Sequence, residues 1–256
     1  MILAEYFGFG FNEKVDATNH PIFGIECEIE GVKDGQYFKG FDTTKDGSLR
    51  HNGYEFISCP MPMETVLTAF RNLHSSLLLI PLDEGNFSRR TSTHVHMNCR
   101  SLTAEQVKTM VMLYALFEEV FFLMVDKNRR GNIHCVPLTE TFLPSKYSHS
   151  IHGLRDCWHK YTALNILPLS KQGTIEFRHL QGTNSVELLE EWLTCLGNLW
   201  HLCQTAQLTP ETLTNKETIV SWFKDIFGGS KRVMMCEAAL DSLIENTLLD
   251  VKFSLV

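Results

Sequence analysis

The segment 23–30 constrains the fold of this chain more than any other, because its apolar and acidic residues alternate strictly. Alternation with a period of two is typical of a β-strand that has one buried face and one polar face. The apolar positions are Phe23, Ile25, Cys27 and Ile29, and the acidic positions are Glu26, Glu28 and Glu30. We therefore expect a strand that presents a row of three carboxylates.

Such a row is electrostatically unfavourable unless something offsets it. Residues two apart on a strand lie about 7 Å apart, and like charges at that distance repel by roughly 2 kcal/mol per pair at an effective dielectric near 20. Bound divalent cations would offset this repulsion, since carboxylate oxygens are suitable ligands for Mg²⁺ or Mn²⁺. A solvated sheet face, with the charges in water, is the alternative interpretation.

Two later segments also combine a polar face with an apolar one. Their polar positions are His94, His96 and Asn98 in segment 93–98, and Glu176 and Arg178 in segment 174–178. An H-x-H pair on a strand can reach a common metal ion or phosphate, whereas the Glu-x-Arg pair can also be a simple surface salt bridge. Three such strands together favour one cavity lined by Glu, His and Arg, which suits metal-bound phosphates.

The remaining patterns predict a single α+β domain over residues 1–256. Helices are expected at 63–79, 103–125 and 186–204, further strands at 37–42, 54–58 and 161–167, and smaller helices in the C-terminal segment 205–256. Thr103 and Gln106 have the spacing of a capping box at the start of the second helix. The polar stretch 127–158 is expected to be a loop with short helical pieces, and a loop of this size is usually functional or disordered.

Charge and composition restrict the classes of partner. The net charge is −7, which argues against a broad nucleic-acid-binding face but does not exclude intact nucleic acid as an acceptor. The eight cysteines contain no C-x-x-C pair, so we expect reduced thiols rather than a zinc ribbon or a disulfide framework. The first residues lack a basic region followed by an apolar stretch, and no apolar run is long enough to span a membrane. A cytoplasmic location is therefore the expectation.

The phosphate-binding motifs of the common nucleotide folds are missing from the sequence. Gly228-Gly229-Ser230-Lys231 is not a P-loop, and Gly8-Phe9-Gly10 lacks the third glycine of a dinucleotide fingerprint. The basic candidates for phosphate contact are Arg129, Arg130, Arg178 and Lys160. The segment 128–132 is either an anion-binding loop or a basic helix C-terminus that complements the helix dipole.

Several short motifs follow one another in an order that resembles a known family. They are 24–28 (GIECE), 46–49 (DGSL), 55–60 (EFISCP), 94–96 (HVH), Arg129-Arg130, Lys160-Tyr161 with Asn165, and 175–178 (IEFR) with Gly182-Thr183. Over roughly Ile22 to Trp192 the chain resembles the amidoligase family, which is frequent in phages and fungi. This family lies within the carboxylate–amine ligases that include glutamine synthetase and glutamate–cysteine ligase.

The resemblance implies a curved antiparallel sheet with helices outside, forming a funnel in which ATP and the acceptor enter from opposite ends. It implies that ATP phosphorylates a carboxylate and that an amine then displaces phosphate to form an amide, with small-molecule or peptide acids and amines as substrates. For a phage-encoded protein the location would be the host cytoplasm. No oligomeric state is implied.

The resemblance also implies roles for individual residues. Glu26, Glu176 and one of His94 or His96 would hold the metal ion that bridges the ATP phosphates, and Glu28 and Glu55 would hold a second ion. Arg178 and one of Arg129 or Arg130 would contact the transferring phosphate. Asp46, Ser48, Asn98, Lys160 and Asn165 would shape the substrate side, while Glu30 receives no role. The segment 133–159 departs from the family's pattern and is a candidate for a lid or a specificity element.

Two other functions compete with the ligase. A zinc hydrolase would use His94 and His96 with a glutamate base, and would take another ligand from the loop that contains His149 and His152. A non-catalytic binding protein on the ligase fold is the second alternative, against which the intact set of predicted ligands argues.

Overall fold

The computed structural model of the protein describes residues 1–141 and 150–234. In these ranges seven strands form one antiparallel sheet in the order β2-β3-β1-β5-β7-β6, and β4 pairs with the start of β1. The strands are β1 Ile22–Ile29, β2 Phe41–Lys45, β3 Tyr54–Ser58, β4 Met61–Pro62, β5 Ser92–Asn98, β6 Leu164–Asn165 and β7 Thr174–Gln181. The expected α+β class with an antiparallel sheet is therefore confirmed.

The register of the sheet gathers the polar residues on one face, which we call the front face. Directly opposite residues of antiparallel strands point to the same side of the sheet. The opposed pairs are Glu26 with His94, His96 with Glu176, Glu28 with Glu55, and Asn165 with Glu176. Because each strand alternates, the intervening residues all lie on the other face.

The opposite face, called the back face, is apolar and fully covered. Its side chains Phe23, Ile25, Val95 and Phe177 have no exposed surface, and they belong to one core with the apolar sides of helices α3, α4, α6 and α8. The helices are α1 Leu3–Tyr6, α2 Glu13–Asp16, α3 Met63–Ser76, α4 Ala104–Leu123, α5 Ile151–Cys157, α6 Val186–Leu202, α7 Pro210–Thr214, α8 Lys216–Phe227 and α9 Lys231–Met234. Burial of this face stabilises the sheet that carries the polar front.

The three long helices predicted from the sequence are present, and local signals define their ends. The capping box at the start of α4 is confirmed, since the Thr103 side chain accepts from the Gln106 backbone and the Gln106 side chain accepts from Thr103 N at 2.8 Å. The described part of the stretch 127–158 contains short 3-10 turns at Lys127–Arg129 and Leu138–Glu140 and most of it beyond residue 150 is α5, while residues 142–149 lie outside the described ranges. Short helical pieces in this stretch were expected.

Two predicted strands have the wrong bounds. The strand expected at 37–42 begins only at Phe41, because Gly40 adopts a φ of +91° and Gln36 turns the preceding chain towards α3 through hydrogen bonds with Leu78. The strand expected at 161–167 is limited to Leu164–Asn165, because Ile166 has helical dihedrals and leads into a 3-10 helix at Leu167–Ser170.

The predicted C-terminal segment 205–256 is only partly described. Its described part contains α7, α8 and α9, and residues 235–256 lie outside the described ranges. Across the described ranges, no helix has the combination of length and apolar character that a membrane crossing requires.

A series of buried hydrogen bonds interrupts the apolar packing behind β7. The Tyr114 hydroxyl lies 2.7 Å from His179 Nε2 and donates to Glu118 Oε1 at 2.6 Å. Glu118 also accepts from the backbone N–H groups of Leu138 and Thr139 at 2.6 and 2.8 Å. These hydrogen bonds therefore connect the segment 138–141, through Glu118 and Tyr114, to His179 on the back of the sheet.

We expect Tyr114→Phe to lower the free energy of unfolding by about 1–3 kcal/mol, because two buried polar groups lose a partner. Urea unfolding followed by circular dichroism measures the change. Tyr37→Phe is the matched control, since Tyr37 is 82% exposed and its substitution should change stability by less than about 0.5 kcal/mol. Equal stabilities of the two variants would contradict a stabilising role for this chain of hydrogen bonds.

Candidate active site

Two glutamates and two histidines meet at the centre of the front face. His94 Nδ1 lies 3.2 Å from Glu26 Oε2 and 3.4 Å from Glu176 Oε1. His96 Nε2 lies 3.0 Å from the other Glu26 oxygen. Glu26 thus contacts both imidazoles, and three neighbouring strands contribute to one compact group.

Neighbouring polar residues fix the orientation of these side chains. Ser92 Oγ lies 2.8 Å from His94 Nε2 and donates to Glu28 Oε2 at 2.7 Å, so one hydroxyl connects the histidine with the next glutamate. His96 Nδ1 lies 3.0 Å from Thr174 Oγ1. Hydrogen bonds of this kind hold potential ligands in position and select the imidazole tautomer.

A second acidic group lies where β1, β3 and the turn after β2 meet. One carboxylate oxygen from each of Glu28, Asp46 and Glu55 lies within 4.8 Å of the others. Asp46 reaches this position because its side chain accepts from Ser48 N at 2.7 Å, which closes the turn. Glu30, to which the sequence assigned no role, accepts from Arg50 N at 2.8 Å and so anchors the same turn.

The pKa values of Glu26 and Glu55 are shifted in opposite directions by their surroundings. Burial opposes the ionisation of Glu26, but hydrogen bonds with His94 and His96 outweigh it and hold the pKa of Glu26 below its usual range. Burial, with the charges of Glu26, Glu28 and Asp46, raises the pKa of Glu55 to about 8. Like charges therefore crowd the Glu55 end of the site, while imidazoles balance the Glu26 end.

Arg178 and Arg129 approach the site from β7 and from the turn after α4. Arg178 is ion-paired with Glu176 and donates from Nε to the His134 carbonyl at 3.0 Å. Arg129 is 4% exposed and donates to the carbonyls of Arg178 and His179 at 2.7 and 2.9 Å. Those two residues form a bulge in β7, since together they face the single residue His94 of β5.

Three other predicted site residues lie outside the central group. Arg130 is ion-paired with Glu119 and with Glu140 on the outer side of α4, so of the two candidate arginines in this turn only Arg129 reaches β7. Lys160 is exposed and lies over the Tyr161 ring at 4.6 Å from its centroid. Asn98 donates to the Val15 carbonyl at 2.6 Å, which fastens the N-terminal segment to β5.

Two cavities flank the cluster at opposite ends of β5 and β7. The first, here called the histidine-side cavity, has a volume of about 590 Å³ and is lined in part by Glu26, His96, Arg155, Lys171, Gln172 and Glu176. The second, called the cationic cavity, has a volume of about 500 Å³ and is lined in part by Arg89, Thr91, Lys127, Arg129, Gln181 and Gly182. The front face therefore has room for ligands on both sides of its acidic centre.

The donor set fits divalent cations. Glu26, His96 and Glu176 offer ligand atoms within 4.8 Å of one another, as do Glu28, Asp46 and Glu55. The second group contains only carboxylates, which favours hard cations such as Mg²⁺ or Mn²⁺. Burial and the neighbouring like charges together raise the pKa of Glu55, and a bound cation would offset both effects.

The contributions of Asp46 and Ser92 to the cluster were not predicted from the sequence. Asp46 was expected on the substrate side, yet its carboxylate lies with Glu28 and Glu55. The D-G-S turn signal that precedes β3 was visible, but it gave no information about which strand the turn would cover. Ser92 lies two residues before His94 and therefore on the same face of the strand. Extending the alternating pattern by two residues towards the N-terminus would have identified it.

The family profile described as "Putative amidoligase enzyme" matches residues 11–194 of the chain. This range includes every strand of the sheet and all residues of the cluster. The chain therefore belongs to the amidoligase family, as the resemblance of its motifs predicted. No curated protein matches the chain.

Without metal, the stability of the protein should depend on the protonation of Glu55. An unfolded Glu loses its proton near pH 4.5, whereas folded Glu55 keeps it up to about pH 8, so unfolding releases a proton in this window. Stability is therefore lost as the pH rises, and Glu55→Gln should gain stability relative to wild type between about pH 5 and pH 8. Urea unfolding in EDTA at both pH values tests this. An unchanged difference between the two proteins at the two pH values would refute it, and the exposed Glu190→Gln should show no such trend.

Proposed function

We propose that the protein is an ATP-dependent carboxylate–amine ligase that forms an amide through an acyl phosphate. The observation that carries this proposal is the cluster of carboxylates, imidazoles and an arginine between two separate cavities. Membership of the amidoligase family supports a ligase activity. The funnel implied by the family resemblance remains part of the proposal, with the two cavities as its ends.

Two divalent cations, Mg²⁺ or Mn²⁺, would be held by different parts of the cluster. Glu26, Glu176 and one of the two histidines would hold the first, with His96 sharing a group with both glutamates. Glu28, Glu55 and Asp46 would hold the second. Bound cations of this kind neutralise phosphate oxygens and orient the transferring group.

The histidine-side cavity is the better position for ATP. It adjoins Glu26, His96 and Glu176, and its wall also carries Arg155 and Lys171, whose charges suit a polyphosphate. Arg178, held by Glu176 and by the His134 carbonyl, is fixed at the point where the γ-phosphate would meet the second substrate. A fixed guanidinium stabilises negative charge that develops during phosphoryl transfer.

The reaction then has two balanced steps. A carboxylate oxygen of the acid forms a bond to the γ-phosphorus, and the bond from that phosphorus to the β,γ-bridging oxygen breaks to release ADP. The amine nitrogen next attacks the acyl carbon, and inorganic phosphate leaves with the bonding electrons of the C–O bond. The nitrogen loses a proton, which the departing phosphate or water accepts, so that the amide forms with no net charge left on nitrogen.

Placement of the histidines weighs against the zinc hydrolase. His96 lies in a group with Glu26 and Glu176, whereas His94 lies in a group with Glu26 and Glu55. The further ligand proposed from the loop, His152, stacks on Tyr6 with ring centroids 5.0 Å apart, and it belongs to none of the groups of potential metal ligands found among the described residues. His149 lies outside the described residues. Tightly bound stoichiometric zinc in the purified protein would instead favour the zinc hydrolase over the ligase.

We expect ATP to bind only with Mg²⁺ or Mn²⁺, because the carboxylates Glu26, Glu28 and Glu176 would otherwise repel its phosphates. Isothermal titration calorimetry with ATP in the presence of Mg²⁺, and then in EDTA, measures this dependence. Equally tight binding under both conditions would remove the basis for the metal assignment.

We expect Glu176→Gln to lower ATP turnover by orders of magnitude, because the substitution removes charge from the proposed metal group while preserving side-chain size. The folded protein should persist, since Asn165 Nδ2, which now donates to Glu176 Oε2 at 2.7 Å, can still bond the amide oxygen. Release of ADP in a screen of paired acids and amines gives the rate. Glu190→Gln, on the exposed side of α6, is the control, and wild-type turnover in Glu176→Gln would leave that residue only a salt-bridge role.

A further inference from the structure

The cationic cavity contains positive charge that the proposed ATP site does not use. Three of its lining residues, Arg89, Lys127 and Arg129, are cations, and its one carboxylate, Asp126, accepts from Asn128 N at 2.8 Å. The chain as a whole carries a net charge of −7. A local excess of two positive charges in a cavity of about 500 Å³ is therefore opposite to the average character of the molecule.

The three cations differ in how they are held. Arg129 is buried and fixed by the carbonyls of Arg178 and His179, so its charge is a permanent part of the cavity wall. Arg89 and Lys127 are exposed, and neither forms an ion pair with a carboxylate of the described residues. One preorganised cation and two unpaired ones can close together around an anion.

This cavity adjoins the Glu28 end of the cluster rather than the histidine end. Thr91 lines the cavity, and the next residue, Ser92, donates both its backbone N–H and its hydroxyl to Glu28 at 2.7 Å. Gly182, which also lines the cavity, lies beside Thr91 and donates its N–H to the Thr91 carbonyl at 2.9 Å. A molecule in the cavity would therefore lie beside the group formed by Glu28, Glu55 and Asp46.

We propose that the cationic cavity binds a second anionic group of the acid substrate, either a carboxylate or a phosphate, while its reacting carboxylate lies at the Glu28 end of the cluster. This inference rests on the proposed ligase function. It defines the acceptor as an acid with at least two anionic groups separated by a short chain. Arg89 and Lys127 are then specificity-determining residues, because a monocarboxylic acid would leave them without a partner.

Nuclear magnetic resonance of the full chain in the presence of Mg²⁺ tests the cavity directly, with glutarate and inorganic phosphate titrated separately. We expect either or both anions to shift the backbone amide resonances of Gly131 and Gly182, which line the cavity. A response to glutarate alone indicates a dicarboxylic acid, and a response to phosphate alone indicates a phosphorylated acid. The absence of a response to both anions would overturn the proposal.

The double variant Arg89→Gln/Lys127→Gln should weaken this binding at least tenfold. Arg71→Gln, an exposed arginine of α3, is the matched control and should bind like wild type. Amide resonances that match those of wild type away from the cavity would establish that the double variant is folded. Retention of anion binding in that folded double variant would overturn the proposal.

A competition experiment with Mg²⁺–ATP tests whether the cationic cavity and the nucleotide site are different sites. Glutarate or phosphate should still shift the Gly131 and Gly182 resonances when Mg²⁺ and ATP are both present, because the nucleotide is assigned to the histidine-side cavity. Displacement of the anion by Mg²⁺–ATP would assign the cationic cavity to the nucleotide and overturn the proposal.

Turnover assays distinguish a failure of this inference from a failure of the ligase function. In the acid–amine screen, acids with a second anionic group should support ADP release, and the double variant should raise the KM for the acid at least tenfold with the KM for ATP unchanged. If only monocarboxylic acids supported turnover, the inference about the acid substrate would be overturned, but the ligase function would stand. If anions bound to the cationic cavity but no pair of acid and amine supported ATP turnover, the ligase function and the substrate assignment would both be rejected. The cavity would then still be an anion-binding site.

Discussion

The mutual repulsion of carboxylates on adjacent strands is the constraint on which the rest of the front face depends. Glu28 lies directly opposite Glu55, and a shift of one residue in the register would remove this pairing. Such a shift would also move Ile25 and Cys27 from the core to the front, where their burial would be lost. The apolar packing of the back face thus holds the acidic residues in a position that they would not adopt by themselves. Charge crowding is imposed by the core, and it makes the site receptive to cations.

The bulge in β7 connects this acidic site with the polar interior behind the sheet. Arg129 binds the carbonyls of the two bulged residues, Arg178 and His179. Arg178 points to the front and pairs with Glu176, whereas His179 is buried on the back and contacts the Tyr114 hydroxyl. Burial, with the nearby charge of Arg129, lowers the pKa of His179 to about 3, so this histidine is neutral. The position of the catalytic candidate Arg178 therefore depends on groups from both sides of the sheet.

Strand alternation was sufficient to predict which residues share a face, because that information is local to each strand. It correctly grouped His94 with His96, but it did not specify that Glu26 would lie opposite His94 and His96 opposite Glu176, since register is set by the core and by turns. The bulge was equally inaccessible, because nothing in the local sequence of Arg178 and His179 requires one. Arg129 and Arg130 have similar sequence surroundings, and only the packing of α4 directs one inward and the other to Glu119. The family was recognisable because it depends on the order of motifs rather than on these tertiary details.

The distribution of charge along the front face has a consequence for how ligands would bind in the proposed ligase. Apart from Arg178, which pairs with Glu176, the cationic side chains next to the site line the two flanking cavities, whereas carboxylates dominate the centre. An anionic ligand in either cavity therefore faces a repulsive centre until divalent cations neutralise it. Any ligand that binds the cation-loaded site more tightly must, by linkage, also increase the affinity of the site for cations. Nucleotide and acid would then each favour retention of the ions that the other requires, and binding at the two ends would be cooperative without contact between the ligands.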